Sequence, residues 1–401
     1  MINRNPYIAN LKAGYLFPEV AKRRREYAAA HPGSKIISLG IGNTTEPIPP
    51  HINSGLVEGA KRLATIEGYS GYQDEGMAAL REKISSVFYG GKFSIDEIFI
   101  SDGAKCDIGR LQTLFGAGVK VAVQDPSYPV YVDGSVLTGS ANGWKESGYA
   151  GIVYLPCTEE NNFFPSLDLV PQNSLIYFCS PNNPTGAVAN RSQLTTLVET
   201  AIDKGCLIVF DAAYSEFIRD SALPKTIYEI EKSAQCAIEV NSFSKPAGFT
   251  GVRLGWSVVP KSLKYSGGES INADWGRIAS TVFNGASNIA QAGGLAALDN
   301  EGLAEMRNLT DFYLGNAKLI RGALQKLGIS CAGGDDSPYI WAHFPGRDSW
   351  EVFSQILEKC QIITTPGAGF GPSGQGYIRF SAFGHRADVE EASKRLGALI
   401  L

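Results

Sequence analysis

Leu207-Ile208-Val209-Phe210-Asp211-Ala212-Ala213-Tyr214 is the stretch whose reading decides the fold. Four apolar residues closed by a carboxylate read as a strand covered on both faces, as in a parallel sheet. Just before it, Leu194, Leu197, Val198, Ala201 and Ile202 recur at helical spacing, and Gly205 stops that helix. Earlier still, Leu175–Cys179 is a second buried-strand run. Strand, helix, strand is the unit of an α/β fold. Val119–Val123 and Ala237–Val240 extend the same sheet, so a large domain with a mostly parallel sheet between helices is expected. The pattern changes towards the C-terminus. Met306, Leu309, Tyr313, Ala317, Ile320, Leu324 and Leu327 form a long amphipathic stripe ended by Gly328. Tyr339–Phe344 and Tyr377–Ser381 read as strands, and Val389, Ala392, Leu396 and Leu399 mark a last helix. The expected division is an N-terminal arm with part of a smaller domain (1–40), a large domain (41–290) and a smaller α/β domain (291–401).

Composition narrows the functions open to such a fold. The 401 residues carry 36 Lys+Arg against 40 Asp+Glu, a net charge of −4. That argues against a general binder of nucleic acid or anionic membrane. The one basic run, Lys22-Arg23-Arg24-Arg25, reads as the wet face of a helix carrying Val20 and Tyr27. A ligand-sensing protein joined to a DNA-binding domain would need more chain before Gly40. Seven cysteines, an odd number without a C-x-x-C pair, suit buried thiols in a reducing compartment. The four histidines are scattered and no zinc spacing occurs, so no metal is expected. Neither a signal-peptide start nor a membrane-length apolar run is present, and a soluble cytoplasmic protein is expected.

Common enzyme signatures fail. Gly40-Ile41-Gly42-Asn43-Thr44-Thr45 lacks the third glycine of a dinucleotide loop, and Gly91-Lys92-Phe93 lacks the hydroxyl of a P-loop. What remains is polar residues at strand ends. Ser242-Phe243-Ser244-Lys245 follows the strand Ala237–Val240, with Arg253 eight residues beyond the lysine. Two hydroxyls and a guanidinium around one lysine suit a phosphorylated carbonyl compound: they hold the phosphate, and the amine condenses with the carbonyl. Asp211 needs a partner at the end of its buried strand. A helix cap would satisfy it; so would a protonated pyridine nitrogen, which keeps the ring an electron sink. Tyr214 then reaches the ring oxygen, as does Asn183 in Ser180-Pro181-Asn182-Asn183-Pro184-Thr185-Gly186. Tyr128, in Asp125-Pro126-Ser127-Tyr128-Pro129, can stack on the ring. Ser101-Asp102-Gly103-Ala104-Lys105 is a strand-to-helix turn whose N–H groups face a phosphate.

Together these segments carry a family resemblance. The chain resembles the fold-type-I pyridoxal-phosphate aminotransferases of class I and II over essentially its whole length. More narrowly it is similar to the LL-diaminopimelate aminotransferase family, through Leu39–Pro49, Gly68-Tyr69-Ser70-Gly71-Tyr72, Ser101–Lys105, Asp211–Tyr214 and Ser242–Trp256. The resemblance implies that Lys245 carries pyridoxal 5'-phosphate, with Asp211 on the pyridine nitrogen and Tyr214 and Asn183 on the ring oxygen. Tyr128 would stack on the ring. Ala104, Lys105, Ser242, Ser244 and Arg253 would hold the phosphate, with Tyr72 entering from a second subunit. Arg379 would clamp the substrate α-carboxylate. Tyr15, Gly42, Lys105 and, from the partner, Asn284 would line the rest of the substrate pocket. The acidic turn after Tyr72 would read the distal end of the substrate, through Glu75 or Asp74. A homodimer with shared sites, acting on small amino and keto acids, is implied. So is transamination between LL-diaminopimelate and 2-oxoglutarate, giving tetrahydrodipicolinate and glutamate, in lysine and peptidoglycan-precursor synthesis. The alternatives are an aminotransferase of another amino acid, or a lyase or decarboxylase of the same fold.

Overall fold

In the computed structural model, which describes residues 1–12, 16–145 and 148–397, Leu207–Asp211 is the middle strand of a seven-stranded sheet. From edge to edge the strands are Ile98–Ser101, Gly255–Val258, Ala237–Ser242, Leu207–Asp211, Ser174–Cys179, Lys120–Asp125 and Ile152–Pro156. Gly255–Val258 runs antiparallel to both neighbours, and the other six share one direction. The mostly parallel sheet expected from the apolar runs is present, and the central strands are buried along their length.

The helix between Ser174–Cys179 and Leu207–Asp211 is Arg191–Asp203. Asn190 and Gln193 cap it reciprocally: each side chain accepts the other's backbone N–H at 2.9 Å. Leu194, Leu197, Val198 and Ala201 are the face it buries. Gly205, at φ +63°, then reverses the chain in the left-handed region that favours glycine. Replacing Leu197 by Ala at this fully buried position should cost about 2–5 kcal/mol.

A second sheet is antiparallel, in the order Cys331–Gly333, Tyr339–His343, Tyr377–Ser381, Thr365–Pro366. The long helix Asn300–Lys326, capped by Asp299, lays Ala317, Ile320 and Leu324 into the apolar cluster under it. Leu16, Val20, Ile37 and Leu39 join that same cluster, although they lie far earlier in the chain. Ile37–Ser38 pairs in parallel with Ile362–Ile363. The basic run lies on the helix Leu16–Ala30, where Lys22, Arg24 and Arg25 reach solvent and Arg23 stacks over Trp350 at 4.4 Å. No helix among the described residues is long and apolar enough to cross a membrane. Tyr15 and Leu399 lie outside the described residues.

Candidate active site

Sheet direction places the site. The six co-directional strands bring their C-terminal ends to one edge, and Gly255 starts at that edge, opposite both Ser101 and Ser242. Chains leaving a parallel sheet at this edge form its ligand crevice. The cavity there encloses about 280 Å³. From the large sheet it collects Ala104, Lys105, Tyr128, Asn183, Asp211, Tyr214, Ser242, Ser244, Lys245 and Arg253; Gly42 and Arg379 reach it from the side of the second sheet. Residues from opposite ends of the sequence thus share one wall.

Lys245 sits in the turn after Ala237–Ser242, and its Nζ donates to the Gly42 carbonyl. Burial, and then the Arg253 and Arg379 guanidinium groups, push its amine down to about 7. An amine at that value is a nucleophile and base near neutral pH. Asp211 shows the opposite shift. Burial raises its carboxyl, opposed by the Tyr131 hydroxyl donating at 2.7 Å and the Ala213 N–H at 3.0 Å. Among the described residues no cation pairs with it. A carboxyl so placed suits a ligand that brings its own protonated nitrogen.

One corner of the cavity combines a helix N-terminus with polar side chains. The helix Ala104–Phe115 opens onto the cavity with Ala104 and Lys105 in its first turn. Ser244 Oγ accepts from Arg253 Nη1 at 3.2 Å, and Ser242 Oγ accepts the Ser244 N–H at 3.0 Å. Arg253 lies at φ +70°, unusual for a residue with a side chain. Gly103 lies beside it: a Cβ there would stand 2.6 Å from Arg253 Nη2. Free N–H groups, two hydroxyls and a guanidinium make an anion cradle.

Arg379 is 1% exposed on the strand Tyr377–Ser381. Its Nη1 donates to Asn183 Oδ1 at 2.7 Å and its Nη2 to the Gly40 carbonyl at 2.6 Å, while its buried Nε has no partner. Tyr339 at 4.4 Å and Phe370 at 4.8 Å flank the guanidinium. No carboxylate pairs with it among the described residues, so a buried positive charge faces the cavity awaiting an anion. With its Oδ1 taken by Arg379, Asn183 keeps its amide N–H groups for a ligand.

Three expected residues lie elsewhere on this chain. Tyr72 is 86% exposed, and Asn284 is exposed at φ +65°. Their loops touch: Asn288 donates to the Ser70 and Gly71 carbonyls at 2.8 and 3.1 Å. The Glu75 carboxylate pairs with Arg81 at 2.8 Å, outside the cavity. Sequence reading missed Tyr131, Tyr339 and Phe17, all of which line the cavity. Tyr131 follows Tyr128 by one helical turn, a spacing that could have brought it in.

The family profile for class I and II aminotransferases matches residues 34–396. A probable chloroplastic LL-diaminopimelate aminotransferase of Oryza sativa subsp. japonica is 53% identical over 99% of this chain and 86% of its own length. The LL-diaminopimelate aminotransferase of Protochlamydia amoebophila is 49% identical over 100% of this chain and 98% of its own. The solved L,L-diaminopimelate aminotransferase from Chlamydomonas reinhardtii superposes with a TM-score of 0.96 at 54% identity, covering 99% of this chain and 98% of that one. Enzymes of this family work with pyridoxal phosphate. The cavity fits that group: an anion cradle, a lysine with a lowered pKa and a buried carboxyl that no cation pairs among the described residues stand around one space. With a profile that spans most of its length and relatives matched end to end at about half identity, the chain belongs to the class I and II aminotransferases.

Proposed function

We infer that this protein transfers an amino group between LL-diaminopimelate and 2-oxoglutarate, with tetrahydrodipicolinate and glutamate as the other pair. The supply of lysine and peptidoglycan precursors is the setting. The observation that carries the chemistry is the buried Arg379, which pairs with no carboxylate among the described residues, on the same cavity as Lys245. The relatives carry the choice of substrate.

When bound, pyridoxal phosphate supplies a carbonyl carbon that accepts amines and a ring that draws electrons from the substrate Cα. The protein supplies the rest. Ala104, Lys105, Ser242, Ser244 and Arg253 hold the phosphate, and Tyr128 covers the ring. The Asp211 carboxylate holds a proton on the pyridine nitrogen, and Tyr214 and Asn183 donate to the ring oxygen. Arg379 grips the α-carboxylate and so orients the Cα–H bond, a positioning effect. The Lys245 amine would take that proton at Nζ and, once protonated, would serve as the acid that gives it back. Both half-reactions use the same groups in opposite order.

Arg379→Lys should raise the glutamate KM about 100-fold, because a point charge replaces a planar fork, while pyridoxal phosphate stays bound. Steady-state kinetics with a cofactor spectrum checks this, and an unchanged KM would remove the clamp.

Tyr72 and Asn284 support a homodimer. Ile66, Tyr69 and Val282, close in sequence to Tyr72 or Asn284, are exposed apolar residues, and we place these loops against a second copy, with Tyr72 and Asn284 entering the partner's site. Tyr15 completes the substrate wall in this reading. Glu75, or Asp74 beside it, lies in the turn after Tyr72 and reads the distal ammonium from the partner's side, since on its own chain Glu75 pairs with Arg81 outside the cavity. Residues 1–40 and 291–401 form the smaller unit in our reading, since Leu16 and Leu39 share a core with Tyr377–Ser381. The seven unpaired thiols favour a reducing setting, and we place the protein in the cytoplasm. Mixing inactive Lys245→Ala with impaired Tyr72→Phe subunits should restore part of the activity, because one of the two sites in a mixed dimer is then intact. No recovery after confirmed subunit exchange would keep Tyr72 out of the partner's site.

The deciding assay mixes protein, pyridoxal phosphate, LL-diaminopimelate and 2-oxoglutarate and follows glutamate, with meso-diaminopimelate and aspartate as parallel donors. Glutamate from the LL isomer is expected. If another amino acid alone shifts the cofactor spectrum, the chemistry stands and the substrate falls. Release of carbon dioxide in place of glutamate would make the protein a decarboxylase.

A further inference from the structure

Tyr339 lies between two groups that sequence reading treats separately. Its hydroxyl is 2.7 Å from that of Tyr214, and the rings meet edge to face at 5.2 Å. Its ring lies 4.4 Å from the Arg379 guanidinium carbon. The register explains the second contact. Tyr339 pairs with Ser381 on the neighbouring strand, which puts Arg379 diagonally across from it on the same face. Tyr339 is 1% exposed. A third observation shows that space is kept for its hydroxyl. A Cβ on Gly42 would stand 2.5 Å from the Tyr339 oxygen but 3.7 Å from the ring carbon that bears it. Gly42 is therefore required to be glycine by that one oxygen atom.

We propose that Tyr339 is a positioning residue that joins the carboxylate clamp to the cofactor's ring-oxygen contact, its ring steadying Arg379 and its hydroxyl donating to Tyr214. This rests on the reading of the site as that of a pyridoxal-phosphate aminotransferase. The direction of the bond follows from the count of protons. Each phenol has one, and in this reading Tyr214 spends its own on the cofactor's ring oxygen, so it accepts from the Tyr339 hydroxyl 2.7 Å away. A phenol that accepts a hydrogen bond is a stronger donor in turn. A stronger donor at that oxygen favours the more negative of the cofactor's two titration states. The hydroxyl of Tyr339 thus lowers the pH at which the bound cofactor titrates.

The experiment is a pH titration of the visible absorbance of the loaded enzyme, together with the glutamate KM. Tyr339→Phe should move the spectral titration upward by about half to one pH unit and leave the KM near that of the wild type. Tyr339→Leu should move the titration likewise and raise the KM roughly tenfold, since it also removes the ring beside Arg379. Gly42→Ala should shift the titration upward too, by displacing the hydroxyl. Adding Tyr339→Phe to Gly42→Ala should cause no further shift, because the atom in the way is already gone. A merely structural tyrosine would show no such cycle. A Tyr339→Phe titration at the wild-type pH, or additive shifts in the double variant, would overturn the hydroxyl's role. An unchanged KM in a folded, cofactor-loaded Tyr339→Leu would overturn the ring's role. If Tyr339→Leu does not fold, Tyr339→Phe and the Gly42 cycle still decide the hydroxyl's role, and the KM of Tyr339→Val then decides the ring's. If the wild type itself takes up no cofactor and shows no titrating band, the aminotransferase reading fails first.

Discussion

Lys245→Ala should lose at least about 10⁴-fold in kcat, the upper end of what one positioned acid–base group supplies, and should bind pyridoxal phosphate without the wild-type visible band. The reasoning starts from where the amine sits. Burial, and then the charges of the Arg253 and Arg379 guanidinium groups, bring its titration down to about 7. An ordinary lysine is almost wholly protonated at that pH and has no free electron pair to offer. The neutral form is the nucleophile, so the rate at which the cofactor-free wild type takes up pyridoxal phosphate should rise with pH through the region near 7. Lys245→Arg tests whether charge alone is at work. It keeps a cation in place but cannot become neutral at any relevant pH. It should be as inactive as the alanine variant. A visible band that survives in Lys245→Ala, or activity within about tenfold of wild type, would move the chemistry to another residue.

Asp211→Asn should slow exchange of the substrate α-proton with solvent by about 10²–10³-fold while leaving the phosphate contacts intact. The amide cannot hold a proton on the pyridine nitrogen, so the ring draws electrons poorly. The same change should have the opposite effect on the protein before it meets its cofactor. Burial raises the Asp211 carboxyl above its ordinary 3.8. The folded protein therefore binds this proton more tightly than the unfolded chain does. By linkage its stability falls as pH rises from the ordinary carboxylate range through the raised value. The neutral amide carries no such penalty, so the cofactor-free Asp211→Asn variant should melt at or above the wild-type temperature at neutral pH. Pyridoxal phosphate should then stabilise the wild type more than the variant. Melting curves with and without cofactor, beside proton exchange followed by NMR, measure both halves. Near wild-type exchange would remove the electron-sink role of Asp211.

The sequence carried the large sheet because burial on both faces leaves uninterrupted apolar runs. Leu175–Cys179 and Leu207–Phe210 fall within strands that the structure places side by side. The polar residues that end those runs could be read for the same reason: they stand where burial stops. Tyr339 could not be read this way. Tyr339–Phe344 is recognisable as a strand, yet nothing in it says which side chain meets Tyr214, 125 positions away. That contact depends on how two sheets meet, which local patterning does not encode. Phe17 arrives by the same route, from a helix packed under the second sheet. Tyr72 and Asn284 are a different case. Both are exposed on their own chain, so their place in a site rests on family likeness and an assumed second copy.

The arrangement of strands also sets an order of assembly during synthesis. All seven strands of the large sheet, with every residue proposed to touch phosphate or ring from this chain, lie between Ile98 and Val258. The carboxylate grip waits for Arg379, and the Leu39–Gly42 stretch that supports it is fastened only when Ile363 and Ser381 arrive to bond Leu39. A chain emerging from the ribosome therefore makes its vitamin-binding half long before its amino-acid-binding half.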